Sequence, residues 1–503
     1  MGGITGADGR RGGAPTASLR TVPFGLVLCA QAATGMVGGA APMALPAIRE
    51  DLATSSAGIQ WYASLYSLGF ALVLILAGRI GDLFGTRRLL LVGYATFIVA
   101  SVGSALAPSI EVLLAFRLLQ GVGAGTMAPQ LSAMVQRSYR GHDRTRAFSV
   151  LLMVSGGSFM VGQLVSGALI TGDVWGLTWR WVYLPILPFT LVTFALSVRL
   201  LPPTPPGVAG RLDLMGATIL AVSSFFVMFP IIQGRSAGWP VWIVGMLVAA
   251  IPAFAAFLAV ERRLVRRGGA PLVDPLLFRI RSFSVGNLIT MVVALLGYAA
   301  PIYLILTIQS GFDRTPLAAA VLTAPMPFLN MFGTLAAAPL VRRFGRGALA
   351  IGGLLVAASA GLVLVATTGD AGAIEPVRLV PGIALTGFAV GVSMSAATSI
   401  VLHEVPGRVA GSAAGVQATS LQLAGAVGIA FFGLVFYGTI GDATGVDVYL
   451  DAIDAVQWVV LGLAVVQIAM VALMPRHRIA PDEELVAIEP EMALLPELGT
   501  DRA

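Results

Sequence analysis

Fourteen long apolar runs constrain this chain more than any other feature of its sequence. Each run is 20 to 29 residues long, and an α-helix needs about 20 residues to cross the hydrocarbon core of a bilayer. Charged residues make up 11% of the chain and hydrophobic residues 57%, with a mean hydropathy of +0.88, whereas soluble domains are about 25% charged. The sequence therefore predicts an all-α integral membrane protein with fourteen transmembrane helices. The runs occupy residues 22–46, 59–79, 88–107, 110–133, 147–171, 179–201, 213–233, 240–260, 283–309, 316–338, 347–367, 376–401, 409–437 and 453–474.

The arginines are distributed unevenly between the two ends of these runs. The N-terminal tail, the even-numbered links and the start of the C-terminal tail hold 24 arginines. The odd-numbered links hold five, namely Arg49, Arg180, Arg235, Arg314 and Arg378. Because basic residues accumulate in cytoplasmic links, the pattern predicts a plasma-membrane protein with both termini in the cytoplasm. The net charge of +6 is thus a topology signal, and no nucleic-acid partner is expected.

Breaks in the chain divide the predicted spans into groups. Residues 202–206 read Pro-Pro-Thr-Pro-Pro, which cannot continue a helix. A charged, proline-containing stretch from Arg262 to Arg281 is a second break. The predicted segments are a cytoplasmic tail (1–21), a six-helix bundle (22–201), a linker with two additional helices (202–281), a second six-helix bundle (282–474) and an acidic cytoplasmic tail (475–503).

An internal repeat supports two related bundles. The stretch around Gly85 is repeated around Gly345, and the pair Gly121 and Gly125 is repeated 266 residues later, at Gly387 and Gly391. The offset between Gly85 and Gly345 is 260 residues. Two related halves around a central path are typical of secondary transporters, which bind substrate near the bilayer midplane.

A short charged link joins the second and third spans. It contains Gly78, Asp82, Gly85, Arg87 and Arg88 within eleven residues. Its glycines permit a tight turn, and its arginines favour the cytoplasmic side. On residue types alone, the link is either a topological anchor or a functional element.

The fourth span contains an arginine, which is costly inside a membrane unless it faces protein or water. Arg117 and Gln120 share one helical face, and Gly121 and Gly125 form a strip of small residues suited to close helix packing. The alternative is an arginine whose side chain reaches an interface. Its position seven residues into the span favours a buried role.

These two stretches resemble the signatures of the major facilitator superfamily of transporters, G-x-x-x-D-x-x-G-x-R-R and R-x-x-Q-G-x-G. The resemblance implies the major facilitator fold, with two six-helix bundles plus two additional helices. It implies gating and conformational coupling by the link residues, Gly78, Asp82, Gly85, Arg87 and Arg88. It also implies that Arg117, with Gln120, takes part in proton coupling or meets substrate charge.

Further stretches resemble the fourteen-helix drug:proton antiporter family. They are Trp179 to Leu184 with Pro188, Asp213 with Gly216, Gly238 with Trp239, Leu277 to Arg279 with Ser282 and Phe283, and Ala410 to Val416 with Gln422. Two stretches depart from that family's pattern. In span one, Val37 and Gly39 stand where an aspartate and a threonine are usual, and Gln163 stands where span five usually has proline after Gly162.

No aspartate or glutamate occurs in the middle of any predicted span, so polycationic substrates are not expected. The candidate cavity residues are Gln31, Gln163, Asn287, Asn330, Gln417 and Gln422, together with Arg117 and Gln120. The alternative for each amide is a hydrogen bond between helices. Gly162 and Gly167 of span five are candidate helix-packing positions.

The sequence thus favours a monomeric secondary transporter that exports hydrophobic drugs, antibiotics or secondary metabolites by proton antiport through alternating access. Because the antiporter pattern is incomplete, a facilitator or importer of a small organic molecule remains open, as does a non-transporting membrane sensor. An enzyme is not expected, because the three histidines, His142, His403 and His477, are far apart. With one cysteine, Cys29, no metal site or cofactor is predicted either.

Overall fold

The computed structural model describes residues 22–204, 213–267, 269, 271–403, 405, 410–441, 443 and 445–474, and within these ranges it contains helices and no strand. The α-helices are α1 (Val22–Ala40), α2 (Leu45–Asp51), α3 (Ser56–Phe84), α4 (Thr86–Ala105), α5 (Ile110–Ser138), α6 (Gly141–Thr171), α7 (Ile186–Leu200), α8 (Leu214–Gln233), α9 (Val241–Arg266), α10 (Arg281–Leu306), α11 (Pro316–Thr323), α12 (Pro325–Phe344), α13 (Gly347–Ala366), α14 (Val380–His403), α15 (Ala410–Ile440) and α16 (Val446–Ala472). The two predicted tails lie outside the described residues, as do Pro205 and Pro206.

Fourteen of these segments are long and apolar enough to cross a membrane, which confirms the predicted number. Helices α1 and α2 form the first span together, α11 and α12 form the tenth, and each other helix is one span. The largest difference from the predicted bounds is at the last span, which begins at Val446 rather than at 453. Because the number is even, α1 begins and α16 ends on the same side of the bundle, here called the termini side. The opposite side is called the far side.

The first six spans pack mainly on one another, and so do the last six. In the first group α5 packs along α3 and α4, and α6 packs along α1. In the last group α14 packs along α12 and α13, and α15 packs along α10. The two groups meet where α3 contacts α15 and where α6 contacts α11. The residue boundaries proposed for the domains stay a prediction.

The repeated glycines have matching geometry in the two groups. Gly85 between α3 and α4 has φ 94°, and Gly345 between α12 and α13 has φ 55°, a backbone conformation that favours glycine. A Cβ on Gly121 would lie 2.1 Å from the carbonyl oxygen of Tyr66 in α3. A Cβ on Gly387 would lie 2.0 Å from the carbonyl oxygen of Met326 in α12. Glycine is therefore required in both groups for the same close helix crossing.

The seventh and eighth spans form a hairpin, α8–α9, on the flank of the bundle. Asp213 caps α8, accepting a hydrogen bond of 2.8 Å from the backbone nitrogen of Gly216. Helix α8 contacts both α3 and α15, so the hairpin covers the seam between the two groups. Helix α9 contacts mainly α8 and has largely exposed apolar residues, as expected of a helix facing lipid.

The apolar core is continuous across the two groups on the far side and divided on the termini side. The largest buried cluster joins far-side residues of the first group, such as Leu45 and Trp179, to far-side residues of the last group, such as Tyr303 and Phe436. On the termini side the two groups have separate buried clusters. Contact there is concentrated at the hairpin flank, where residues of α3 join a cluster built from α8, α9 and the last group. The far side is therefore the closed side of this structure.

Candidate functional site

Arg117 lies fully buried in α5 within a network of hydrogen bonds. Its Nη1 donates to Gln120 Oε1 at 2.8 Å, one helical turn away, and its Nε donates to the carbonyl oxygen of Tyr62 at 3.4 Å. Gln120 Nε2 in turn donates to Ser101 Oγ of α4 at 2.8 Å, and the Ser101 hydroxyl donates to the carbonyl oxygen of Phe97. The predicted pair is thus brought together with α3 and α4. An arginine that reaches an interface is not what the structure shows, because Arg117 is 3% exposed.

Two tyrosine rings of α3 face the guanidinium group. The Arg117 Cζ atom lies 4.7 Å from the centre of the Tyr62 ring and 5.0 Å from that of Tyr66. Such cation–π contacts are worth about 2 kcal/mol when they are removed from water. The Tyr62 hydroxyl is 2.9 Å from the hydroxyl of Tyr183, which extends the network towards α7. Tyr62 is completely buried. Its place near the start of span two, on the far side, would also fit a residue at the membrane interface.

No carboxylate neutralises this arginine within the described part of the chain. The two ion pairs found there join Arg137 to Asp82 and Arg180 to Asp51. Ring faces, an amide oxygen and a backbone carbonyl therefore carry the electrostatic stabilisation of Arg117. A buried cation with neutral partners can attract an anionic or electron-rich group of a ligand.

The link between α3 and α4 is held by α5 and α7. Asp82 pairs with Arg137 of α5 at 3.4 Å, and the same guanidinium group donates a 2.8 Å hydrogen bond to Thr86 Oγ1. Arg87 is directed to the other side, where its guanidinium group donates to the carbonyl oxygen of Val198 in α7. Arg88 is exposed.

The glycines of the link allow the chain to pass close to neighbouring segments. A Cβ on Gly85 would lie 2.7 Å from the carbonyl oxygen of Thr204, so glycine is required there both by contact and by its positive φ. Gly78 faces Pro129 of α5, with 3.8 Å from its Cβ position to the Pro129 Cβ. Gln130, the next residue, donates to the carbonyl oxygen of Ala77 at 2.8 Å. These contacts hold the end of α3 against α5.

The candidate packing glycines divide into two kinds of contact. Gly125 lies against the backbone of Phe70 in α3, and Gly162 lies against the backbone of Met36 in α1. Both contacts lie within the first group. Gly167 instead lies against α11 of the second group, and its Cβ position is 2.9 Å from the Cβ of Ala320.

Gln163 also lies where α6 of the first group contacts α11 of the last group. Its Nε2 donates to Thr323 Oγ1 at 2.6 Å and to the carbonyl oxygen of Ala320 at 2.9 Å. The side chain is 2% exposed. It therefore fastens α6 to α11 on the far side, although the sequence suggests it as a cavity residue.

Four of the five remaining candidate amides also donate hydrogen bonds to neighbouring helices. Gln31 donates to Ser155 Oγ at 3.0 Å between α1 and α6. Three more amides join helices of the last group: Asn287 donates to Ser420 at 2.9 Å, Asn330 to the Gly387 carbonyl at 3.3 Å and Gln417 to Thr290 at 3.4 Å. Asn287 Oδ1 and Gln422 Oε1 are buried without a hydrogen-bond partner. A cavity role for this set stays a prediction.

Three residues whose contacts the structure reveals were not identified from the sequence. Arg137 has no motif of its own, and its pairing with Asp82 depends on the packing of α5 on α3. Tyr66 is one helical turn after Tyr62, so an aromatic strip on α3 was the signal available for it. Glu261 lies at the end of α9 and is completely buried, although an exposed run of arginines follows it. Among the described residues, no three His, Cys, Asp or Glu side chains are grouped as a metal site would need.

Comparisons with known proteins agree on the type of molecule. A family model described as Major Facilitator Superfamily matches residues 27–429. The "Probable actinorhodin transporter" of Streptomyces coelicolor is 34% identical over 438 residues, which cover 87% of this chain and 76% of that protein. The "Puromycin resistance protein pur8" of Streptomyces alboniger is 31% identical over 419 residues, covering 82% and 81%. The "Tetracenomycin C resistance and export protein" of Streptomyces glaucescens is 28% identical over 442 residues, covering 87% and 79%.

Solved structures support the fold alone. The crystal structure of an auto inhibited POT family peptide transporter superposes with a TM-score of 0.65 at 14% identity, covering 92% of this chain and 98% of that one. A second POT family transporter, solved in meso, gives a TM-score of 0.65 at 15% identity, covering 89% and 97%. Together with the fourteen spans, these similarities confirm the predicted architecture.

Proposed function

We propose a function from one premise: the chain belongs to the Major Facilitator Superfamily. It is therefore a multi-pass membrane transporter of small molecules rather than an enzyme. On this basis we propose that it exports hydrophobic antibiotics or related secondary metabolites, in exchange for protons, by alternating access. The single observation that carries the proposal is the similarity to the actinorhodin transporter, which extends over 87% of the chain.

The chemistry of the central network supports an uncharged or anionic substrate. Arg117 is buried among neutral groups, and the described spans hold no ion pair near it. An aromatic compound with phenolate, carboxylate or quinone oxygens would supply electron density to that cation, and tyrosine and methionine side chains would give it adaptable apolar contact. A dication would find no buried counter-charge there.

The uneven core supports alternating access. In our proposal the closed far side is the extracellular side, held by the apolar cluster around Trp179 and Phe436 and by the hydrogen bonds of Gln163. Opening that side requires those contacts to break while the termini side closes. Asp82 and Arg137 keep the link on α5 so that α3, α4 and α5 move as one body during this change. Both chain ends then lie in the cytoplasm.

Reconstituted vesicles test the proposal directly. Purified protein is placed in vesicles that enclose a pH-sensitive dye, and actinorhodin, tetracenomycin C or puromycin is added under an imposed pH gradient. We expect substrate-dependent proton movement with the wild-type protein and none with Arg117→Ala. Compound movement without proton movement would replace the antiport proposal by facilitated diffusion. No flux of any of the three compounds would contradict export of this class.

Uptake is distinguished from export in cells. A strain that produces the protein is expected to accumulate less of the transported compound than a strain that carries the empty vector. Greater accumulation would support an importer. A non-transporting sensor would leave accumulation and vesicle flux unchanged.

A further inference from the structure

Two buried carboxyl groups meet at the termini side of the α8–α9 hairpin. Asp213 Oδ1 accepts a 2.8 Å hydrogen bond from the backbone nitrogen of Gly216, and Glu261 Oε2 accepts one of 3.1 Å from that of Val273. Asp213 is 7% exposed and Glu261 is completely buried. The second oxygens, Asp213 Oδ2 and Glu261 Oε1, are both inaccessible to solvent and have no hydrogen-bond partner.

These two free oxygens both lie next to Gly216 and are therefore close to each other. A Cβ on Gly216 would lie 2.4 Å from Asp213 Oδ2 and 2.4 Å from Glu261 Oε1. Two ionised carboxylates at such close range, removed from water, repel each other and leave both oxygens unsatisfied. One proton between them forms a hydrogen bond that satisfies both oxygens, and it removes one of the two charges.

The surrounding charges favour a single proton. Arg79 of α3 is partly buried and interacts electrostatically with both carboxyl groups. With one proton on the pair, the cluster of two acids and one arginine is electrically neutral. Helix α15, which packs against α8, carries no charged residue, and neither does α8 itself. Among the residues that the structure describes, the other charged groups on elements next to the pair are Asp82 on α3, Arg262, Arg263, Arg266 and Arg267 at the end of α9, and Asp274, Arg279 and Arg281 in the following segment.

We propose that Asp213 and Glu261 form a binding site for one proton, and that this proton fastens the end of α9 to the start of α8. The proton comes from water on the termini side and returns to it. When it leaves, two negative charges face one arginine, so the end of α9 and the segment that includes Val273 separate from α8. When Arg79 withdraws with α3, its attraction for the ionised carboxylate is lost, and the pair holds its proton more tightly.

The position of the site gives it a role in transport, and that role rests on the proposed function. Arg79 belongs to the same link as Asp82 and Gly85, and α8 contacts both groups of spans at the seam. Because the positive charge of Arg79 weakens proton binding, occupancy by the proton would favour the arrangement in which α3 has moved away from the hairpin. The rate of export would depend on the pH of the termini side. The proton site itself is independent of whether the protein exports antibiotics.

Infrared spectroscopy tests the site without any substrate. The wild-type protein at neutral pH should show the C=O stretch of a protonated carboxylic acid, and both Glu261→Gln and Asp213→Asn should lose it. Each variant replaces one acid by an amide that donates to the remaining carboxylate, which then stays ionised beside Arg79. Asparagine still caps a helix, and glutamine still accepts from Val273, so both variants retain the local fold. The control is Glu111→Gln, which changes an exposed carboxylate and should leave the band in place.

Several outcomes overturn the proposal. Loss of the band in only one variant means that the proton belongs to one residue and is not shared. A wild-type spectrum identical to that of Glu261→Gln means that no proton is bound. If Na⁺ stabilises the wild-type protein but does not stabilise Glu261→Gln, the pair binds a metal ion instead of a proton. If neither variant folds, titration of the wild-type band decides, because it must disappear as the pH rises.

Transport then tests the consequence. Vesicles with wild-type protein should transport more slowly as the pH on the termini side rises, and Glu261→Gln should lose that dependence while it retains flux. If wild-type protein moves no compound, the proposed function fails and the infrared result still stands. If both proteins transport with the same pH dependence, the proton site does not control transport.

Discussion

The side-chain amide of Gln163 donates a 2.6 Å hydrogen bond to the hydroxyl oxygen of Thr323, and this bond joins the first group of spans to the last. The same amide donates a second hydrogen bond, to the carbonyl oxygen of Ala320, so two hydrogen bonds join α6 to α11. Both bonds lie on the closed side of the molecule. Opening of that side must therefore break them.

Gln163→Ala is expected to favour opening of the far side. Hydrogen bonds between membrane helices are worth about 0.6 kcal/mol each, so the loss of two corresponds to about 1 kcal/mol, a roughly fivefold change in population. Spin labels at Leu106→Cys and Val377→Cys, in a Cys29→Ser background, report the distance across the far side. The longer distance should become more populated in the variant.

The matched control for that measurement is Ser155→Ala. It removes the acceptor of Gln31, which is a hydrogen bond within the first group and not between the groups. Its distance distribution should equal that of the wild type. An equal shift in both variants would mean that any lost helix contact loosens the bundle.

Arg117→Ala is expected to abolish proton-coupled transport and to lower the free energy of unfolding by about 2 kcal/mol, because it removes hydrogen bonds and two ring contacts of a buried cation. Ser101→Ala removes the acceptor of Gln120 and the hydroxyl that donates to the carbonyl oxygen of Phe97, and it leaves the cation in place. We expect Ser101→Ala to retain most of the flux in the vesicle assay. Equal loss in the two variants would show that packing of the network, and not its charge, is what transport requires.

Asp82→Asn is expected to reduce flux with little loss of stability. The pair with Arg137 is largely exposed, and exposed ion pairs contribute about 1 kcal/mol or less. Arg137→Gln should have the same effect, and the exchange Asp82→Arg with Arg137→Asp should restore part of the flux. Asp173→Asn, which changes an exposed acid on the far side, serves as the control. Wild-type flux in Asp82→Asn at equal membrane abundance would contradict a gating role.

Gly121→Ala is expected to destabilise the protein by about 1–3 kcal/mol, because its Cβ would lie 2.1 Å from a backbone oxygen of α3 and the helices would have to separate. Gly361→Ala is the control on a helix, since no atom lies within 4 Å of its Cβ position. That substitution should be neutral or stabilise the helix by up to about 1 kcal/mol. Thermal unfolding in detergent measures both. A similar melting temperature for the two variants would exclude the close crossing.

Local patterns in the sequence were sufficient for the spans and for the repeat. A transmembrane helix is an apolar run of fixed length, so the fourteen spans follow from composition along the chain. Gly85 and Gly345, and Gly121 and Gly387, were visible as matching positions because glycine is required wherever two backbones meet closely. The family could be named from these stretches, since their spacing is also local.

Side-chain partners could not be read in the same way. Asp82 pairs with Arg137, 55 residues along the chain, because α5 lies against α3. Gln163 stands in a position that suggests a cavity, yet it bonds α11, 160 residues away. In the sequence, Glu261 looks like the first residue of an exposed, charged helix terminus. Its burial is evident only in the tertiary structure, where α9 packs on α8 and brings Glu261 close to Asp213.

The sequence by itself determined that this chain crosses a membrane fourteen times, as two related groups of helices with an added hairpin, because the requirement to bury backbone polar groups in lipid acts on each segment separately. Only the tertiary structure decided which polar groups meet, which side is closed and where two acids face each other. Those outcomes depend on contacts between helices that are distant in the chain, and a local pattern does not encode them.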